Sequence, residues 1–198
     1  MKVSGRQHLK FRQKKRGVYS ALNGKENMGK YEDLEAKARL GAFSTLDMEV
    51  LVPVVEALKP GEVYLEIGVD KGKSLSVARM VAGELVSVFG VDLKKDPKVD
   101  GTVFFQGDSV EVAKGWMTHP KISVLFIDGD HSYLGCRWDI EVWYPHMKKE
   151  GVMLFHDCDE SSPGVLQAVA EFVNTHTVKK FELFKRTDKN TSMAKVQL

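Results

Sequence analysis

From Tyr31 onward the chain alternates between two hydrophobic patterns. Stretches with apolar residues every three to four positions read as helices, and short apolar runs bounded by turn residues read as strands. Helices are predicted at Glu32–Leu40 and Thr45–Leu58; the second places Leu46, Val50, Val54 and Leu58 on one face, with Ser44 or Thr45 to cap it. Pro60-Gly61 breaks the chain before a strand at Val63–Ile67. A helix at Ser74–Ala82 follows, then strands at Leu85–Val91 and Thr102–Gln106 and a helix around Val110–Met117. Next come a strand at Ile122–Ile127, a helix at Ser132–Met147, a strand at Val152–Phe155 and a helix at Val165–His176. The pattern then changes: Lys180–Arg186 and Ser192–Val196, separated by Thr187–Thr191, read as an antiparallel hairpin.

A strand such as Val124–Ile127, apolar on both faces, belongs in a parallel sheet covered by helices on both sides. Alternating helix and strand units imply a doubly wound α/β sheet. Neither repeats nor low-complexity tracts interrupt it, so the chain divides into a basic N-terminal arm and lid at 1–44 and one domain at 45–198.

Composition changes this picture little, and charge changes it more. A hydrophobic content of 43% with 28% charged residues is ordinary for a soluble globular domain. No apolar run approaches the roughly 18 residues of a membrane helix, and the N-terminus lacks an apolar signal core, which excludes a membrane partner and leads to a cytoplasmic location. Cys136 and Cys158 form no C-x-x-C motif and read as free, buried thiols in a reducing compartment. The net charge of +2 conceals an asymmetry: residues 1–30 hold nine Lys/Arg against Glu26 alone, which leaves 20 basic against 26 acidic residues in the rest. Such an arm is either a solvated tail or a nucleic-acid contact, with only Phe11 and Tyr19 to stack on bases. Gly17–Phe43 has little core pattern and is read as a lid over an acceptor.

The candidate chemistry gathers at strand ends, where open parallel sheets bind ligands. Leu65–Ser74 follows the first strand with Gly68 and Gly72, a G-x-x-x-G spacing that lets the backbone pass close to a ligand at a helix N-terminus. Glu66 in that turn disfavours a pyrophosphate and favours an ammonium group. Asp92 ends the second strand, where an acid grips a ribose diol, and Asp108 ends the third, where it would accept from an adenine amino group, with Ser109 beside it. Three acids at three successive strand ends describe an adenosine ligand with an amino-acid tail, hence S-adenosylmethionine. The fourth strand ends in Asp128-Gly129-Asp130-His131 and the fifth in His156-Asp157. Asp130 is read either as a support for that site or as a helix N-cap.

Leu65–Ser74, Val91-Asp92 and Gly107-Asp108-Ser109 resemble the cofactor motifs of class I S-adenosylmethionine-dependent methyltransferases. Ile127–Tyr133, Asp139, Trp143 and Gly151–Asp157 are similar to methyltransferase family 24, across roughly residues 45–175. The resemblance implies a Rossmann-like seven-stranded sheet of order 3-2-1-4-5-7-6 with strand 7 antiparallel, which the terminal hairpin fits. It implies a cofactor site at Glu66, Gly68, Gly72, Ser74, Asp92, Asp108, Ser109 and Asp128, and a homodimer. Lys148-Lys149-Glu150-Gly151 stands where the family more usually has a Lys-Pro-Gly-Gly turn.

Related metal-dependent O-methyltransferases place carboxylates at the positions of Asp128 and Asp157. With His156 they would form a site for Mg²⁺ or another divalent cation. Where several relatives carry a second carboxylate or Asn, this chain has His156, with Cys158 and then Asp159 following. The expected reaction is methyl transfer to a hydroxyl of a small molecule, by positioning, desolvation and removal of the hydroxyl proton. The catalytic candidates are Asp128, His131 and His156, with His131 the preferred base if no metal takes part. Two alternatives stay open: an RNA methyltransferase that uses the basic arm, and a cofactor-binding protein that does not transfer methyl groups.

Overall fold

The structure, a computed structural model, describes residues 28–186 and 191–198. The basic run up to Lys25, the segment 17–27 of the expected lid and the hairpin loop 187–190 lie outside the described residues. Two helices, α1 (Met28–Lys37) and α2 (Thr45–Glu56), precede the sheet. Then follow β1 (Val63–Ile67), α3 (Lys73–Val81), β2 (Ser87–Asp92), β3 (Val103–Gln106), α4 (Ser109–Gly115), β4 (Ile122–Ile127) and α5 (Tyr133–Trp143). The chain closes with β5 (Met147–His156), α6 (Pro163–Thr175), β6 (Lys180–Arg186) and β7 (Thr191–Gln197).

The seven strands form one sheet of order β3-β2-β1-β4-β5-β7-β6. The first five pair in parallel, and β7 runs antiparallel between β5 and β6. This is the doubly wound order that the resemblance implies. Every residue of β1 and β4 is buried, as strands covered on both faces must be. On one face Val63, Leu65 and Ile67 pack with Ile140 and Trp143 of α5 and Val165 and Phe172 of α6. On the other, Tyr64 and Phe126 pack with Leu51 and Val55 of α2 and Leu75 of α3. Tyr31 of α1 is buried in the same cluster, so residues before 45 already contribute to the domain core.

Local chemistry explains the element ends. Ser44, not Thr45, caps α2: its hydroxyl accepts from Asp47 N, and the Asp47 carboxylate accepts from Ser44 N at 2.7 Å, a capping box. The helix expected over Ser132–Met147 stops at Trp143 and continues as a 3₁₀ turn, Tyr144–His146, because Pro145 cannot extend an α-helix. The Lys148–Gly151 turn is also corrected, since β5 starts at Met147. Ile122 pairs with Met147 but Val124 with Val152, so the polar residues between them form an irregularity inside the strand. Lys148 there pairs with Glu62 at 2.8 Å. Among the described residues no helix is long and apolar enough to cross a membrane. Cys136 and Cys158 are free and buried, and burial pushes both thiols up to about 12.

Candidate functional site

A cleft of about 650 Å³ opens above the carboxyl ends of β1, β2 and β4. Its floor depends on Gly68. That residue has φ +84, and a Cβ on it would stand 2.1 Å from the carbonyl oxygen of Asp128. Only glycine permits this approach, which the ladder continues through Gly68 N to Val91 O at 2.9 Å and Asp128 N to Ile67 O at 2.8 Å. Gly72, at φ +83, turns the chain into α3 without a side-chain cap, so the N–H groups of the first turn face the cleft where Lys73 and Ser74 line it.

Asp92 lines the cleft but holds the neighbouring loop. Its Oδ2 accepts from Val69 N and Asp70 N, both at 2.7 Å, and its Oδ1 accepts from Lys94 N at 2.8 Å. Three of roughly four lone-pair directions are therefore occupied. The two-bond grip on a ribose diol expected from the sequence is reduced to one free direction. Asp70, held in this loop at φ +46, pairs with Lys94 at 2.6 Å.

Glu66 departs from expectation. It is fully buried and lies below the cleft, not in it. Its carboxyl accepts from Tyr64 Oη at 2.7 Å and Ser74 Oγ at 2.5 Å, which fastens β1 to the start of α3. Burial pushes Glu66 up to about 8 against the lowering effect of those hydrogen bonds. A direct contact with a ligand's ammonium group is not what this placement offers. Asp108 is likewise engaged: it caps α4, its Oδ1 accepting from Val110 N at 2.9 Å and Glu111 N at 3.2 Å. Ser109 lines the cleft and donates its hydroxyl to Asp139.

At the ends of β4 and β5 four sequence-predicted residues converge with one that sequence reasoning missed. His131 Nε2 lies 3.5 Å from Asp128 Oδ1 and 3.7 Å from Asp157 Oδ2. His156 Nδ1 lies 3.3 Å from each of the same two oxygens. The other nitrogen, Nε2, is 3.3 Å from Oδ1 of Asp47, which is buried on α2. These are ion-pair separations without aligned hydrogen bonds to His156. Burial alone would lower the His156 imidazole, but three facing carboxylates hold it well above its usual range. Burial would raise Asp128, and the two histidines hold it low instead. The Asp128 carboxylate raises His131 against desolvation. Asp157 sits at φ +49, a backbone conformation uncommon outside glycine and asparagine or aspartate.

Three ligand atoms, one each from Asp128, His131 and Asp157, lie within 4.8 Å of one another. An octahedral ion puts adjacent ligands about 2.9 Å apart for Mg²⁺ and about 3.3–3.7 Å apart for Ca²⁺, and the two separations from His131, 3.5 and 3.7 Å, match the wider spacing. His156, expected in the ligand set, lies outside this group of three: its Nδ1 faces Asp128 and Asp157 and its Nε2 faces Asp47, carboxylates that favour the protonated imidazole. His131, half-exposed, takes its place beside the two carboxylates. Asp130 accepts from Ser132 N at 2.8 Å, and Ser132 caps α5, so Asp130 shapes the turn that carries His131.

The expected lid is represented here by residues 28–43. Gly41, Ala42 and Phe43 line the cleft, and Phe43 stacks on His156 with centroids 6.2 Å apart. Arg39 donates through Nε to Lys71 O at 3.0 Å and through Nη1 to Lys98 O at 3.2 Å, which ties this segment to the cleft's loops.

Residues 65–158 match a family described as a methyltransferase domain, methyltransferase family 24. An uncharacterized protein of Acanthamoeba polyphaga mimivirus is 31% identical over 147 residues, 62% of this chain and 64% of that protein. The ribosomal RNA large subunit methyltransferase E of Desulfatibacillum aliphaticivorans is 30% identical over 89 residues, 44% of this chain and 43% of its own. The chain thus spans less than two thirds of either curated relative. Among solved structures, the MycE methyltransferase of the mycinamycin biosynthetic pathway, in complex with Mg and SAH, superposes with a TM-score of 0.63 at 15% identity, over 84% of this chain and 53% of that one. An O-methyltransferase from Bacillus cereus in complex with SAH gives 0.64 at 12% identity, over 86% and 91%. These likenesses establish the fold.

Proposed function

Because residues 65–158 carry a methyltransferase domain and the whole sheet resembles the class I S-adenosylmethionine-dependent enzymes, we propose that this chain moves a methyl group from S-adenosylmethionine to a hydroxyl of a small molecule. One observation carries the reading: Asp128 belongs at once to the cleft that begins at the Gly68 turn and to the Asp128–His131–Asp157 cluster. A cofactor cleft and a proton-handling cluster therefore share a wall.

The cleft fits the cofactor. Its volume lies within the range of small-molecule sites, Gly68 admits a close backbone approach, and the open first turn of α3 suits the carboxylate of an amino-acid tail. When bound, S-adenosylmethionine supplies a methyl group already activated on a sulfonium. What remains for the protein is orientation, exclusion of water and removal of the acceptor's proton. His131 is the group placed to take that proton, held by Asp128 and Asp157. Asp128, Asp157 and His131 would hold a divalent cation, which would lower the pKa of a bound hydroxyl. Gly41–Phe43, anchored by Arg39, covers one side of the cleft as a lid segment.

Calorimetric titration with S-adenosylhomocysteine is the direct check, followed by transfer from methyl-labelled cofactor to a panel of hydroxylated small molecules with and without Mg²⁺. No binding by the intact protein would end this reading. Binding without transfer to any acceptor would leave a cofactor-binding protein. The nine basic residues at 1–30 and the ribosomal RNA methyltransferase relative favour an RNA acceptor as the second reading. That reading requires salt-dependent RNA binding that disappears when residues 1–16 are removed.

A further inference from the structure

The turn that carries His131 is closed on two sides by helices that meet it without a side chain of their own. Gly164, in the first turn of α6, lies against it: a Cβ there would stand 2.5 Å from the carbonyl oxygen of His131, 2.5 Å from Tyr133 N and 2.8 Å from the carbonyl carbon of Ser132. All three are backbone atoms, so no change of rotamer relieves the contact. Gly135 of α5 faces the turn from the other side, where the Asp130 side chain occupies the space of its Cβ, 2.3 Å from Oδ2. The end of the turn is tied to α6 as well, since Tyr133 donates its hydroxyl to Glu171.

Glycine is the weakest helix former after proline, and Pro163 before it already supplies a good first residue. Helix formation therefore does not account for Gly164, and the close approach to the His131 turn does. An ordinary contact needs about 3.5 Å, so a methyl group on Gly164 would force helix and turn apart by about 1 Å. The turn is the softer partner. Val165, Ala168, Val169 and Phe172 bury one face of α6 in the core, whereas His131 and Ser132 reach solvent. The displacement would fall on His131, whose Nε2 lies 3.5 Å from Asp128 and 3.7 Å from Asp157.

We infer that Gly164 is a positioning residue: by admitting the backbone of α6 onto the His131 peptide, it fixes where the imidazole stands between Asp128 and Asp157, with the Tyr133–Glu171 bond as the second hold of α6 on the same turn. Its part in transfer rests on the reading of His131 as proton acceptor; its part in placing the ring does not. Misplacing a catalytic group by about 1 Å costs roughly 100-fold in rate, so Gly164→Ala lowers kcat for methyl transfer by about that factor. The affinity for S-adenosylhomocysteine is unchanged, since Gly164 does not line the cleft.

Crystal structures of the full chain as wild type and as Gly164→Ala make the comparison, with Ala168→Gly as control. Ala168 lies on the buried face of α6, so its loss loosens the helix in the core without touching the turn. His131 Nε2 should shift by about 1 Å relative to Asp157 in Gly164→Ala and stay in place in Ala168→Gly. An unmoved ring in Gly164→Ala, or an equal shift in the control, overturns the proposal. Should Gly164→Ala not fold, Glu171→Ala releases the Tyr133 end of the same turn from the surface: a smaller shift of the ring supports the proposal, and an unmoved ring overturns it. A displaced ring with kcat unchanged would confirm the placement and discard His131 as proton acceptor. If the wild type transfers no methyl group, the reading of its function fails, and the position of the ring still decides this inference.

Discussion

Oδ1 of Asp47 and Nε2 of His156 lie 3.3 Å apart, joining the first turn of α2 to the end of β5 beneath the cleft. Both residues are buried, and His156 in turn faces Asp128 and Asp157. The Asp128 and Asp157 carboxylates are thus braced from behind by an imidazole that Asp47 faces from α2. Asp47→Asn removes one charge from that brace and weakens the capping box. It should lower the unfolding free energy by about 1.5–3 kcal/mol in urea titrations, the range for a hydrogen-bonded charged group. A loss below about 0.5 kcal/mol, the scatter of a surface change, would mean the brace is not stabilising.

Gly68→Ala should be among the most damaging single-methyl changes in the domain. The added Cβ meets backbone at 2.1 Å and the residue stands at φ +84, so β1 and the Asp128 turn must separate. We expect a cost of at least about 2 kcal/mol and loss of S-adenosylhomocysteine binding. Thermal denaturation and calorimetry on the same sample check both, and wild-type behaviour in either would contradict the packing described.

Glu66 gives stability a pH dependence of known sign. Its folded value of about 8 stands above the usual 4.5, so the folded chain keeps a proton that the unfolded chain releases. This contribution is fully present below about 4.5 and is lost as pH rises through 8. Glu66→Gln cannot titrate and should flatten that decline, ending up to about 5 kcal/mol more stable than wild type above pH 8, with little difference near pH 4.5. Parallel curves for the two proteins across that window would show that Glu66 does not carry the proton.

Asp157→Asn tests the cation reading without disturbing the backbone, because asparagine tolerates the left-handed conformation that φ +49 requires. If Asp128, His131 and Asp157 form a cation site, Mn²⁺ affinity measured by electron paramagnetic resonance should fall roughly tenfold or more, about 1.4 kcal/mol. S-adenosylhomocysteine affinity should change little, since Asp157 does not line the cleft. Unchanged Mn²⁺ binding would remove Asp157 from the ligand set.

The sheet was legible where side-chain pattern alone decides. Val63–Ile67 and Ile122–Ile127 were read with their observed bounds because continuous apolar runs admit few other structures. The start of β5 was not legible: Lys148, Lys149 and Glu150 look like a turn, and only pairing across to β4 makes them strand. At the site, sequence placed Asp128, His131, His156 and Asp157 together because each ends a strand. It could not assign their tasks, since Glu66, Asp92, Asp108 and His156 are engaged with backbone or buried side chains from elsewhere in the fold. Asp47 shows the same limit from the other side: it sits on a helix, where an acid carries no signal of its partner, and the Ser44–Asp47 capping-box spacing says nothing of His156.

The insertion of β7 between β5 and β6 has a consequence for synthesis. The ten residues of β5 emerge with β4 already available on one side, but the other hydrogen-bonding edge waits for β7, about 35 residues later. At roughly 5–20 residues per second that wait lasts about 2–7 s on the ribosome. During it, a strand holding Met153, Leu154 and Phe155 has no β7 to pair with along that edge. The strands that wall the cleft therefore precede in synthesis the strand that covers the open edge of β5.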